Sequence, residues 1–274
     1  MDLRTMLEKV AFGQMNVDEV QRQFSIHFIE HVRNNIAQLD MGREIRKGVP
    51  EVVFAERKEY QDIIKIVLLM VKRKGQVVVS RIQKEEFFKL RNTLKKRKLD
   101  VEVGKRSTTI LVSDGSYLQR KTGGKIGILS AGTADIGIAE EARLIAKAMG
   151  CETILNYDIG IAGIHRLFPA VEELLCENVD AIVVVAGMEG ALASVVSSIV
   201  DIPVVGVPTS VGYGFGSAGV AALASMLQSC TFGLAVVNID NGIGAGAFAA
   251  SIANRMARKN LKVPVETKSN YGVK

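Results

Sequence analysis

From Lys125 onward, five short apolar runs recur along the chain, and each is followed by a stretch of helical pattern. The runs are KIGILS (125–130), ETILNYD (152–158), AIVVVAG (181–187), PVVGVP (203–208) and LAVVNI (234–239). Helical periodicity occupies 136–149, 167–178, 189–200, 217–229 and 245–258 between and after them. Strands this short and this continuously apolar are covered on both faces, and helical connections between them impose parallel pairing with right-handed crossovers. The spacing predicts a three-layer α/β/α sandwich over 122–260, built on a mostly parallel, doubly wound sheet. Ligands of such a sheet sit beyond the carboxyl ends of its strands.

Residues 1–121 read differently. Two short amphipathic helices flank a Gly turn, with Asn16 or Asp18 near the second start. EVVF, a helix near 59–73, QVVVSRI, a helix near 84–97, DVEVG and TTILVSD then make a small α/β N-terminal module. A linker, GSYLQRKTGG (115–124), separates the two, and 261–274 is a tail. The module carries 25 Lys and Arg against 16 Asp and Glu, while the remainder carries 10 against 13. This basic half lacks a nucleic-acid reader motif, and KKRK (95–98) ends a solvated helix, so no nucleic-acid partner is expected.

Residues 202–239 contain no Asp, Glu, Lys or Arg, which is longer than a bilayer requires. Pro203, Pro208 and GYGFGSAG (212–219) break this stretch into strand- and helix-sized pieces, so it reads as sheet core and no membrane partner is expected. Three widely spaced cysteines, Cys151, Cys176 and Cys230, without a CxxC pair or a leader, indicate reduced thiols and a cytoplasmic setting. Three histidines, His27, His31 and His165, form no Cys/His cluster for zinc.

Chemistry-bearing residues collect at the predicted carboxyl ends: SAGTAD (130–135), DIGIAGIHR (158–166), AGMEGAL (186–192), VPTSVGYGFG (207–216) and NIDNGIGAG (238–246). Small residues let backbone amides approach an anion, and a helix N-terminus adds positive potential. SAGTAD before a helix suits phosphate or carboxylate, or is ordinary capping by Thr133 or Asp135. Neither GxGxxG nor a complete Walker A loop is present; GGK (123–125) stands alone. Gly212, Gly214 and Gly216 suit a lid. His165 is a general acid/base or a capping imidazole. Glu189, directly after a buried strand, is costly unless paired, solvated or used. Cys151 and Cys176 read as structural. Cys230, between a helix and a strand, is either a small buried hydrophobe or a nucleophile placed toward the Asn/Asp/Gly loop that follows.

Together SAGTAD, YDIGIAGIHR, AGMEGAL, VPTSVGYG and NIDNGIGAG resemble the LarB family, the carboxylase/hydrolase of nickel-pincer nucleotide cofactor biosynthesis, and MGREIRKGVPEVVFAERK (41–58) resembles its N-terminal module. The half from about 124 to 258 is also similar to aminoimidazole ribonucleotide carboxylases and mutases of purine synthesis. Two departures favour the first family. The purine family's second His is replaced around Glu189, and Cys230 with NIDNG has no role there. A further departure, Ala193 where Pro is expected, reads as a local turn change.

The resemblance implies carboxylation of the pyridinium ring of nicotinic acid adenine dinucleotide at C5 by CO2. Phosphoanhydride hydrolysis would then give pyridinium-3,5-biscarboxylic acid mononucleotide and AMP. It implies Cys230 as covalent nucleophile, with Glu189, Asp158 and His165 moving protons or positioning water. Ser130, Ala131, Gly132, Thr133 and Asp135 would hold phosphate or ribose, and Asp135→Ala would weaken binding without disturbing the fold. Asn238, Asp240 and Asn241 would orient the ring carboxylate or CO2. Gly187, Met188, Gly190, Thr209, Ser210 and Tyr213 would complete the substrate pocket. Mg2+ is the expected cofactor, neutralising the pyrophosphate, with no metal ligands assigned, and a homo-oligomer, an octamer by resemblance, is the expected assembly. A purine carboxylase/mutase and a non-catalytic nucleotide-binding protein are the alternatives.

Overall fold

The computed structural model describes residues 3–25, 28–32 and 37–260. His27 and the tail 261–274 lie outside the described residues.

The apolar runs of the second half become five parallel strands: β7 (Lys125–Ser130), β8 (Glu152–Asn156), β9 (Ala181–Ala186), β10 (Val204–Pro208) and β11 (Leu234–Val236). Their order is β11-β10-β9-β7-β8. The chain runs outward from β7 to β8 and then crosses back to β9, so the topological switch point lies between β7 and β9. Helices α6 (Ile136–Ala148) and α10 (Gly242–Asn260) cover one face. On the other face lie α7 (Leu167–Cys176), α8 (Ala191–Ile199) and α9 (Val220–Leu227). β9 is buried along its whole length, as a central strand between two helical layers must be. Ala193 is buried inside α8 and packs in the core, so that departure changes no turn.

The first half opens with α1 (Leu3–Ala11) and α2 (Val17–Phe24), the latter capped by Asn16, whose side chain accepts from the Glu19 amide at 2.8 Å. A hairpin of β1 (Ile29–His31) and β2 (Gln38–Asp40) and the short α3 (Arg43–Lys47) follow, none of them apparent in the periodicity. A mixed sheet in the order β3-β4-β6-β5 completes the module, from β3 (Val52–Phe54), β4 (Gln76–Ser80), β5 (Leu99–Val103) and β6 (Ile110–Asp114). α4 (Tyr60–Lys74) and α5 (Lys84–Lys96) cover its outer face.

Strand alternation explains how the halves meet. Val77 and Val79 of β4 enter the module's own core, while Val78, pointing the other way, joins Leu111 in the core built on α6 and α10. Helix α6 therefore lies between two sheets. Its polar residues are engaged by the first half: Glu140 accepts from the Lys105 amide at 3.0 Å, and Glu141 accepts from the Ser80 and Thr109 hydroxyls at 3.1 and 3.0 Å. Arg143 and Lys147 each reach Glu102 at 2.6 Å. The 115–124 stretch is packed rather than free: the Tyr117 ring lies against Gly75, and the Thr122 amide donates to the Gly150 carbonyl at 3.0 Å. No described helix is long and apolar enough to cross a membrane.

Candidate active site

The loops beyond the carboxyl ends of the five strands are braced from within. Asp135, only 3% exposed, is the central brace. Its Oδ2 accepts from the Gly132 amide at 2.8 Å and its Oδ1 from the Thr209 hydroxyl at 2.7 Å, tying the β7 loop to the β10 loop. Burial pushes this carboxyl above the usual aspartate range, against the lowering effect of Thr209 and of the Gly132 and Gly187 amides. Ser130 and Thr209 are likewise fully buried. Through these bonds Asp135 and Thr209 shape the loops. Asp135→Ala, expected from the sequence to leave the fold intact, would also remove both of these bonds. Asp135 sits at the α6 N-cap without a side-chain cap bond, because its carboxylate is committed elsewhere.

Asp240 braces the neighbouring loop, its Oδ1 accepting from the Ser210 amide at 2.8 Å. Asn241 caps α10 by accepting from the Gly244 amide at 2.9 Å, and Asn238 accepts from the Ile239 amide at 2.9 Å. In the β9 loop, the Met188 amide donates to the Val211 carbonyl at 2.8 Å. A Cβ on Gly187 would lie 2.3 Å from that same carbonyl, so only glycine permits this approach. Gly190 closes the turn before α8 with φ +69.

Nine described non-glycine residues adopt left-handed φ, and four of them, Asp158, Met188, Ala218 and Asp240, lie in these loops. For Met and Ala that conformation is strained, and strain held by surrounding structure clusters at functional sites.

The groups that face outward from this braced edge are Thr133, Asp158, His165, Met188, Glu189, Ser210, Tyr213 and Asn238, all exposed, with Ala131 and Gly132 half-buried between them. Asp158 pairs with Arg166 at 3.0 Å. His165 lies one residue before it in the 3-10 turn Ile161–Arg166. Glu189 is solvated, so burial carries no weight in its assignment; its place beside the switch point does. Tyr213 and Phe215 stand exposed around the kinked turn Gly214–Gly219.

Cys230 is not among them. It precedes β11, and Gly233 bonds to the Val204 amide at the amino end of β10. Cys230 therefore lies at the opposite edge of the sheet, roughly 15 Å or more from Asn238 at about 3.3 Å per strand residue. Its neighbours Ser229 and Thr231 are joined at 2.7 Å, and Thr231 bonds Ser197 at the end of α8 at 2.6 Å, leaving Cys230 exposed. The expectation that this thiol faces the NIDNG loop within one chain is corrected: a strand separates them. Cys151 is buried, bonded to Asn254 at 3.2 Å, and its thiol is pushed up to about 11 by burial, while Cys176 is exposed.

Sequence reading missed Glu141 and Arg166 as parts of this edge. Arg166 was in plain view within GIHR. Glu141 was hidden, because its hydroxyl partners come from the first half of the chain. Burial pushes Glu141 above the usual glutamate range, with Asp240 adding to the effect and Thr109, Ser80 and Arg81 opposing it. Among the described residues, no three His, Cys, Asp or Glu side chains are grouped so as to hold a metal ion.

Residues 125–270, the doubly wound sandwich with its braced switch-point loops, match the family described as AIR carboxylase, which makes this a carboxylase-type domain. Residues 30–113 match the LarB/PurE-like N-terminal domain. The chain belongs to the LarB family. It is 45% identical to an uncharacterised protein of Methanocaldococcus jannaschii over 258 residues, covering 93% of this chain and 98% of that one. The N5-carboxyaminoimidazole ribonucleotide mutase of the same organism is 32% identical over 46% of this chain and 77% of its own length. The Thermotoga maritima mutase is 27% identical over 47% and 74%.

Proposed function

We propose that this protein carboxylates the pyridinium ring of nicotinic acid adenine dinucleotide at C5 and hydrolyses its phosphoanhydride, releasing AMP and pyridinium-3,5-biscarboxylic acid mononucleotide. The observation that carries this reading is the LarB-type N-terminal domain joined to the carboxylase domain, a module beyond the half of the chain that the ribonucleotide mutases cover. The presence of Cys230 and Glu189 supports it.

An electron-poor pyridinium carbon cannot attack CO2. Addition of the Cys230 thiolate to C4 gives a dihydropyridine whose C5 is nucleophilic. C5 then bonds to CO2, a base removes the C5 proton, and the C4–S bond breaks as the electron pair returns to the thiolate, restoring the aromatic cation. Glu189 is the assigned base, with Asp158 and His165 beside it to position the hydrolytic water. All three are exposed and open to a substrate.

Because Cys230 lies at the amino edge of its own sheet, this reading places it in the site of a second copy. The chain around it suits that role. Residues 202–239 carry no Asp, Glu, Lys or Arg, yet Tyr213, Phe215, Leu227 and Phe232 are exposed on them, the last at 94%. Covering such a surface with another copy desolvates no ion. With no grouped protein ligands among the described residues, Mg2+ would arrive with the pyrophosphate, and no step here is assigned to it.

The test is a mass-spectrometric product assay with the dinucleotide and bicarbonate. The dicarboxylated mononucleotide and AMP are expected in equal amounts. AMP without ring carboxylation, or turnover of carboxyaminoimidazole ribonucleotide instead, would refute the reading.

A further inference from the structure

Resting on the reading of the carboxyl edge as a phosphoanhydride site, we infer that the N-terminal module completes that site by supplying Arg106 as a phosphate-binding residue. Arg106 belongs to the loop between β5 and β6, in the half of the chain outside the sandwich. Its Nη1 donates to the Thr133 carbonyl at 2.8 Å, which brings the guanidinium to the exposed part of the SAGTAD loop.

Its counter-ion is missing. Among the described residues, Arg143 pairs with Glu102 and Glu140, Arg166 with Asp158, and Arg81 with Glu56, but Arg106 has no carboxylate partner. One Nη1–H is used by a neutral carbonyl, and the rest of the planar fork is exposed. A guanidinium presents five donors in a geometry that matches phosphate oxygens, and here it stands beside the start of α6, where the helix dipole adds to its potential.

The placement is held firmly. The Arg106 carbonyl would lie 2.6 Å from a Cβ on Gly137, so the loop rests directly on the first turn of α6. The next residue back, Lys105, is fixed by its amide bond to Glu140 at 3.0 Å, and its ammonium lies 5.4 Å from the Tyr157 ring centroid. Arg106 itself has φ 55, a left-handed conformation that a β5–β6 turn has no general need to place on arginine. Loop and helix are thus fitted to each other at the mouth of the SAGTAD loop, and the cation they hold there has no carboxylate partner among the described residues.

The test uses the full-length chain with inorganic pyrophosphate as probe, measured by calorimetry, so that it does not depend on turnover. Wild type is expected to bind pyrophosphate. Arg106→Gln is expected to bind about tenfold more weakly at unchanged Tm, with Arg106→Lys recovering part of the loss, since one charge-assisted pair is removed and then half replaced. The same variant is expected to raise KM for the dinucleotide more than it lowers kcat. Unchanged pyrophosphate affinity in Arg106→Gln, absence of binding by wild type, or a loss that follows a fall in Tm and is not relieved by lysine would each overturn the inference. If pyrophosphate binds through Arg106 while the dinucleotide yields no dicarboxylated product, the catalytic reading fails and this one stands.

Discussion

At the carboxyl end of the parallel sheet, two carboxylates hold the loops: buried Asp135 joins Gly132 to Thr209, and half-buried Asp240 holds Ser210. At the amino end, a chain of neutral hydroxyls, Ser197, Thr231 and Ser229, holds a turn that leaves Cys230 and Phe232 in solvent. The first edge is preorganised around exposed polar groups. The second exposes a thiol and an apolar surface. A parallel sheet keeps the two ends of its strands a strand length apart within one chain. If the thiol and the carboxyl edge act together, as proposed, assembly has to bring them to one place.

The largest expected effect breaks that comparison at the amino edge. Cys230→Ser conserves size at an exposed position, so Tm should hold, but an un-ionised hydroxyl adds and leaves poorly, and ring carboxylation should vanish. Cys176→Ser should remain active in the same product assay. A normal rate in Cys230→Ser would make the thiol a bystander.

A smaller effect sharpens the contrast between the two kinds of bracing. Asp135→Ala leaves the buried Thr209 hydroxyl and the half-buried Gly132 amide without their partner, at a cost of about 3 kcal/mol in denaturant unfolding. Ser229→Ala at the amino edge removes two partly buried neutral bonds, one of them long, and should cost about 1 kcal/mol. Equal costs would erase the structural distinction between the edges.

The smallest effect concerns the surface where the first half meets α6. Hydrogen bonds from Lys147 and Arg143 outweigh desolvation and hold Glu102 below the ordinary glutamate range. A carboxylate with a lowered folded-state pKa contributes stability above its unfolded value, and that contribution is lost as pH falls through the folded one. Glu102→Gln should therefore be less stable than wild type at neutral pH by about 1 kcal/mol, given its partial exposure. The gap should close on acidification, as measured by unfolding across an acid pH series.

Most of the sandwich was legible in the sequence because its strands are short, apolar and separated by helical periodicity: KIGILS is β7 to the residue. The five loops were legible too, since whatever follows a parallel strand lies at its carboxyl end. Two features were not. Cys230 precedes its strand, and closeness to NIDNG in the chain concealed a full strand length in space. The burial of Asp135 and Thr209 and the bond between them were hidden too, because polar residues in a glycine-rich loop look alike until burial is known. The β1–β2 hairpin and α3 were too short to show a period, and the bonds between Glu141 and Ser80 or Thr109 link residues 61 and 32 positions apart, which no local pattern reveals.

The central claim, that one edge of one chain works with the other edge of a second, is tested most directly by subunit mixing. Cys230→Ser lacks the thiol, and Glu189→Gln, altered at an exposed position of the carboxyl edge, lacks the base; each alone should give little dicarboxylated product. Co-expressed so that they assemble together, they should recover about a quarter of wild-type turnover, because about a quarter of sites in a random symmetric assembly would pair an intact thiol with an intact base. Recovery of that size is the predicted result. Complete inactivity of the verified mixed assembly would contradict the account and return both groups to a single chain.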